Sequence, residues 1–85
     1  MLKETPNIDF IPRTYIFGAK AASVNRFLEG LDRESRIIFM RRYWYMDGIG
    51  AIAGRLAVSE SKVKSSLYRS RGKLRRHLER EGLLS

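Results

Sequence analysis

Between Ile49 and Leu67 the chain reads IGAIAGRLAVSESKVKSSL, and its apolar residues have the spacing of two short helices meeting at a tight turn. Ile49, Ile52, Ala53 and Leu56 form one helical stripe, Val58 falls in the turn, and Val63 and Leu67 restart the stripe one turn apart. This is the pattern of a helix-turn-helix. Ala53 supplies the small side chain needed where the first helix passes closest to the second, and Ser59 is the expected N-cap of the second. That second helix carries Lys62, Lys64, Arg69, Arg71, Lys73, Arg75 and Arg76, so the element able to lie in a DNA major groove is also the most basic one.

A chain of 85 residues has room for one small domain with a modest core. Its charge is unevenly placed. Residues 1–30 carry net +1, residues 31–58 net +2 and residues 59–85 net +5, so more than half of the total of +8 lies on the last third. A field concentrated on one element favours a polyanion, and nucleic acid is the common soluble one. The competing reading, a merely solvated helix face, leaves the adjacent motif unexplained. There are no cysteines, which excludes disulfides and thiolate chemistry and fits a reducing cytoplasm. No apolar run has the length of a membrane span, and no basic segment followed by an apolar stretch opens the chain, so a cytoplasmic location is expected.

The expected organisation is an arm or linker over residues 1–18 and an all-α domain over residues 19–85. The arm holds both prolines, Pro6 and Pro12, among Ile8, Phe10, Ile11, Tyr15, Ile16 and Phe17, and Pro12 argues against a continuous helix there. The domain reads as a small bundle of about four helices with a long C-terminal recognition helix. Val24, Phe27, Leu28 and Leu31 mark a first helix, opened by Ser23 or an earlier residue. Asp32 is the expected N-cap of the next, which runs to about Tyr45 with Ser35, Ile38, Phe39, Arg42 and Met46 near one face. Asp47 and Gly48 break the chain before the helix-turn-helix. The last helix is expected to continue to about Arg80 with Val63, Leu67, Leu74 and Leu78 inward, and Gly82 ends it.

The run LDRESRIIFMRRYWYMDGIGAIAGRLAVSESKVKSSLYRSRGKLRRHL resembles region 4 of bacterial RNA polymerase sigma factors, particularly the extracytoplasmic-function type. The matching marks are Leu31 and Arg36 at the start of one helix, Arg42 and Tyr43 near its end, and Ile52, Ala53 and Leu56 in the next. Val63, Lys64, Ser65, Leu67, Arg69, Arg71 and Leu74 complete the set. The match runs from about Val24 to Leu78, about two thirds of the chain. The resemblance implies a monomeric domain that recognises the minus-35 element of double-stranded promoter DNA while docked on the β-subunit flap of the RNA polymerase core. It also implies an anti-sigma factor as a further partner. Nothing here resembles the preceding sigma region that melts DNA, so the chain is expected to be either a fragment of a longer factor or a stand-alone region-4-like regulator.

Three departures from the family pattern stand out. Ala57 occupies the turn position often held by glycine, and a positive φ there carries strain of roughly 1 kcal/mol. Gly50 and Gly54 take outer helix positions where the family commonly has helix-favouring side chains, each costing roughly 1 kcal/mol against alanine. The N-terminal arm matches nothing in the family.

On the recognition helix, Glu60, Ser61, Lys64 and Ser65 alternate away from Val63 and Leu67 and are the expected base contacts. Lysine can donate to guanine O6 and N7, serine can donate or accept, and glutamate can accept from cytosine N4. Lys62, Tyr68, Arg69 and Arg71 are placed for phosphates, with Arg41 and Arg55 adding backbone contacts from the preceding helices. Arg42 could do the same or pair with an acidic residue inside the bundle.

Other signals point away from chemistry. Gly48, Gly50 and Gly54 miss the dinucleotide fingerprint by one residue and follow no strand, and the GAIAG run lacks the apolar span of a membrane helix pair. Tyr43, Trp44 and Tyr45 could stack on exposed bases but suit a helix end in the core or at a partner surface better. His77 is the only histidine and reads as an exposed helix residue, which leaves no metal cluster or paired nucleophile. No enzyme, metal or cofactor is expected. Two alternatives stay open: a dimeric response-regulator-type effector domain, and a protein-interaction module binding polymerase or an anti-sigma factor with little DNA contact; a basic helix lying on anionic membrane is not expected, because its inward stripe is already needed for the bundle core.

Overall fold

The computed structural model describes Gly18 and residues 20–83, so the arm expected over residues 1–18 lies, apart from Gly18, outside the described residues. Among the described residues four helices follow one another: α1 (Ala21–Glu29), α2 (Arg33–Tyr43), α3 (Ile49–Leu56) and α4 (Glu60–Arg80). Helix α4 is the spine, since α1, α2 and α3 all pack against it, and α2 also packs on α3. The domain is an all-α bundle containing a helix-turn-helix, formed by α3 and α4.

Sequence explains most of the boundaries. The Asp32 carboxylate accepts from the Ser35 N–H at 3.1 Å and starts α2. Ser59 does the same for α4, its Oγ accepting from the Lys62 N–H at 3.0 Å. Helix α1 has no such cap: Lys20 precedes it and its side chain does not cap the helix, and Ser23 lies inside the helix, buried. At the other end of α4, Gly82 takes φ 72°, and the Leu83 N–H returns to the Leu78 carbonyl at 2.9 Å, closing a Schellman turn.

Helix α2 is shorter than its sequence pattern suggests. It ends at Tyr43 instead of about Tyr45, and Met46, expected on the core face, is 62 % exposed with φ 59°. The cause is a tight reversal. The Met40 carbonyl accepts from both Trp44 and Tyr45, the Asp47 N–H returns to the Arg41 carbonyl at 2.9 Å, and Arg42 Nη1 donates to the Asp47 carbonyl at 3.0 Å. Arg42 is thus engaged at the turn by a backbone oxygen.

The core is a layer of aliphatic and aromatic side chains around α4. Val24, Ile38, Phe39, Ile52, Val63, Leu67 and Leu78 are fully buried. Phe39 is its centre, with ring centroids at 4.7 Å from Tyr43, 6.1 Å edge-on from Phe27 and 6.4 Å from Trp44. Ser66 and Ser70 of α4 are buried as well, small side chains that let the neighbouring helices come close to the spine.

Candidate nucleic-acid interface

The turn between α3 and α4 sets the geometry of everything that follows it. Ala57 adopts φ 56° and ψ 43°, and the Val58 N–H returns to the Ala53 carbonyl at 3.1 Å while the Ala57 N–H points to Gly54 at 3.4 Å. This is a Schellman turn with alanine in the left-handed position that glycine fills at Gly82. It aims α4 so that Val63 and Leu67 meet Ile52 and Ala53 in the core, while Leu56 and Val58 pack at its margin.

With one side of α4 buried, helical spacing decides what faces out. Ser61 and Ser65 are exposed and one turn apart, and the same side continues through Tyr68, 61 % exposed, and the exposed Arg69. Lys64 is exposed on one flank, ahead of Arg71, which is half-buried with its guanidinium 5.9 Å from the Tyr68 ring centroid. Lys62 lies on the opposite flank and pairs with Glu34 of α2 at 3.3 Å, both side chains about half exposed. Such a pair contributes at most about 1 kcal/mol and yields readily to a phosphate. Glu60 opens the helix with its carboxylate folded toward α3, its Oε2 only 3.2 Å from where a Cβ on Gly50 would stand. A glycine at position 50 therefore gives that carboxylate its place, whereas Gly54 faces open space.

The expected phosphate contacts from the earlier helices are gathered elsewhere. Arg41 Nε lies 3.1 Å and Arg55 Nε 3.7 Å from the same Asp47 carboxylate oxygen, and the Arg41 guanidinium stacks 4.5 Å from the Tyr45 ring centroid. Asp47 draws both cations to the α2–α3 turn. On α4 the situation differs: among the described residues, Lys64, Arg69, Arg75 and Arg76 have no ion-pair partner. The outer ridge continues beyond the expected contacts, from the exposed Ser65 and Arg69 through the half-buried Gly72 to the exposed Arg76, along the three- and four-residue spacing of one helix face. No protein-family model, curated protein or solved structure matches this chain.

One polar cluster lies at the far end of α4. His77, expected to be exposed, has only 15 % of its side chain accessible, because its ring packs 5.7 Å from that of Phe27 and its Nε2 lies 2.9 Å from both the Ser23 carbonyl and the Ser23 hydroxyl. The hydroxyl donates to Glu81 Oε1 at 2.6 Å, and Arg26 Nη2 donates to the same oxygen at 2.6 Å. These bonds, that from Ser23 first, hold the Glu81 carboxyl below its ordinary value. The three residue types are those of a hydrolytic triad, but the arrangement is not. Both hydroxyl and carboxylate meet the same ring nitrogen, where a triad sets the carboxylate on the other one, and Ser23 is buried. Among the described residues no group of acidic, histidine or cysteine side chains is arranged to hold a metal ion, and no helix is long and apolar enough to cross a membrane.

Proposed function

We propose that this chain is a promoter-recognition domain that reads double-stranded DNA with α4, in the manner of region 4 of a bacterial sigma factor. The observation that carries the proposal is the outer face of α4. It presents Ser61, Ser65, Tyr68 and Arg69 to solvent from a helix anchored by a helix-turn-helix, with Lys64 exposed on one flank and Lys62, in a half-exposed pair with Glu34, on the other. Polar readers between phosphate-seeking cations are what a major groove requires. In this reading Ser61, Lys64 and Ser65 approach base edges, while Lys62, Arg69 and Arg71 hold phosphates. Tyr68 is placed between the two groups. Glu60 reaches a base only by leaving Gly50, and Arg41 and Arg55 reach phosphates only by exchanging Asp47 for them. The domain acts in the cytoplasm as a monomer docked on the β-subunit flap of the polymerase core, and an anti-sigma factor competes for it.

The test is titration of the chain with a duplex carrying a minus-35-like element, with and without polymerase core, across several salt concentrations. Binding that is weak alone, tighter with the core and steeply reduced by salt is the expected result. Absence of binding at low salt under both conditions overturns the proposal in favour of a protein-interaction module.

A further inference from the structure

Helix α4 is longer than base reading requires. Its 21 residues span about 31 Å at about 1.5 Å per residue, whereas a major groove is about 12 Å wide. If the first turns enter the groove, the last turns must leave it and cross the sugar–phosphate backbone. That second half is the more basic one: residues 71–80 hold Arg71, Lys73, Arg75, Arg76 and Arg80 against a single carboxylate, Glu79.

Helix electrostatics accounts for only part of this. Cations favour a helix C-terminus, but the effect fades within the last turn, which here contains His77 and Arg80. Arg75 and Arg76 lie further in, exposed, with no ion-pair partner among the described residues. Between Arg69 and Arg76, on the outer ridge, stands Gly72. A glycine inside a helix is unfavourable relative to alanine, and no packing need explains it, since a Cβ there would meet only Arg76 Nη1, at an ordinary 3.9 Å. What the missing side chain leaves is a shallow notch in the outer face, with one arginine about a turn before it and another a turn after, the second already lying against it.

Resting on the nucleic-acid reading above, we infer that this notch is a phosphate seat: the backbone of a bound duplex crosses α4 at Gly72, with a phosphodiester held between Arg69 and Arg76. The ligand group is the phosphate itself, so the seat adds affinity without adding sequence preference. Gly72 serves by close approach and Arg76 by charge.

The experiment measures binding of the full chain to a 20–30 base-pair duplex by fluorescence anisotropy at four or more salt concentrations, with thermal melting of each variant in parallel. Arg76→Ala is expected to make the slope of log affinity against log salt shallower by about one unit, with Arg76→Lys keeping most of it. Gly72→Ala is expected to raise Tm, by helix propensity, and yet to weaken binding, and Gly72→Glu to weaken it by about tenfold or more at low salt. An acidic polypeptide should compete far less well than unlabelled duplex of equal charge. If the parent chain binds duplex and neither Arg76→Ala nor Gly72→Ala alters affinity or slope, the seat is overturned and the proposed function stands. A parent chain that binds no duplex at low salt overturns both, and equal competition by the acidic polypeptide replaces the phosphate with a protein partner.

Discussion

The inner and outer rows of α4 run side by side along one helix, Val63, Leu67, Leu74 and Leu78 within, and Ser61, Ser65, Arg69 and Arg76 without. The inner row touches three helices and is almost wholly out of water. The outer row touches nothing comparable, and its charges are held by no carboxylate among the described residues. Residues only one or two positions apart therefore have separable tasks: truncation inside should unfold the domain, and truncation outside should leave it folded but impair what it binds. A chain in which both kinds of change produced the same loss would have no distinct binding face.

The largest effect expected belongs to the inner row. Leu67→Ala empties a fully buried site in contact with the helix-turn-helix core and should cost roughly 2–5 kcal/mol in denaturant unfolding. A cost under about 0.5 kcal/mol would mean that α4 is rotated from the orientation described. On the outer row, Lys64→Ala and Ser65→Ala should leave stability nearly unchanged and shift sequence preference by roughly 1–3 kcal/mol, measured by selection from randomised duplexes with polymerase present. Lys62→Ala and Arg69→Ala should instead weaken all duplexes alike and flatten the salt dependence by about one unit each. Preference that survives the Lys64 and Ser65 changes would move the reading residues off this helix face.

Smaller effects sharpen the comparison at the two ends of the spine. Ala57→Gly should relieve left-handed strain before α4 and gain up to about 1 kcal/mol, since the flexibility added to the unfolded chain offsets part of the relief. A drop in Tm would show that the alanine is not strained. The smallest effect is a pH dependence. Hydrogen bonding from Ser35 holds Asp32, and from Ser23 and Arg26 holds Glu81, below their ordinary carboxyl values. Both contributions are full above the unfolded carboxyl range and are lost as pH falls through the lowered folded values. Melting curves taken from neutral to acidic pH should fall less steeply in Glu81→Gln than in the parent, and coincident acid limbs would remove Glu81 from the account.

Local chemistry made much of the fold legible. Asp32 and Ser59 cap helices by hydrogen bonds that depend on residues three positions on, Gly82 ends α4 by its own conformational freedom, and the 3.6-residue period exposes Val63, Leu67, Leu74 and Leu78 as core. Apart from Met46, what escaped depends on residues distant in sequence. His77 looks solvated until α1 is packed over it, and Ser66 and Ser70 look polar until neighbouring helices close on them. Met46 continues the apolar spacing of α2, but the bonds of Arg41 and Arg42 to the Asp47 backbone reverse the chain before that residue can reach the core. The candidate site divided in the same way. The outward placement of Ser61, Lys64, Ser65 and Arg69 follows from helical period, whereas the gathering of Arg41 and Arg55 on Asp47, and of Glu60 on Gly50, required the tertiary fold.

The junction of Ser23 and Arg26 with His77 and Glu81 joins positions 54 to 58 apart. Synthesis runs from the first of these to the last, so α1 emerges long before its docking surface exists. Its apolar side, Val24, Phe27 and Leu28, is not fully covered until the final turns of α4 leave the ribosome, so α1 is the last of the four described helices to complete its packing.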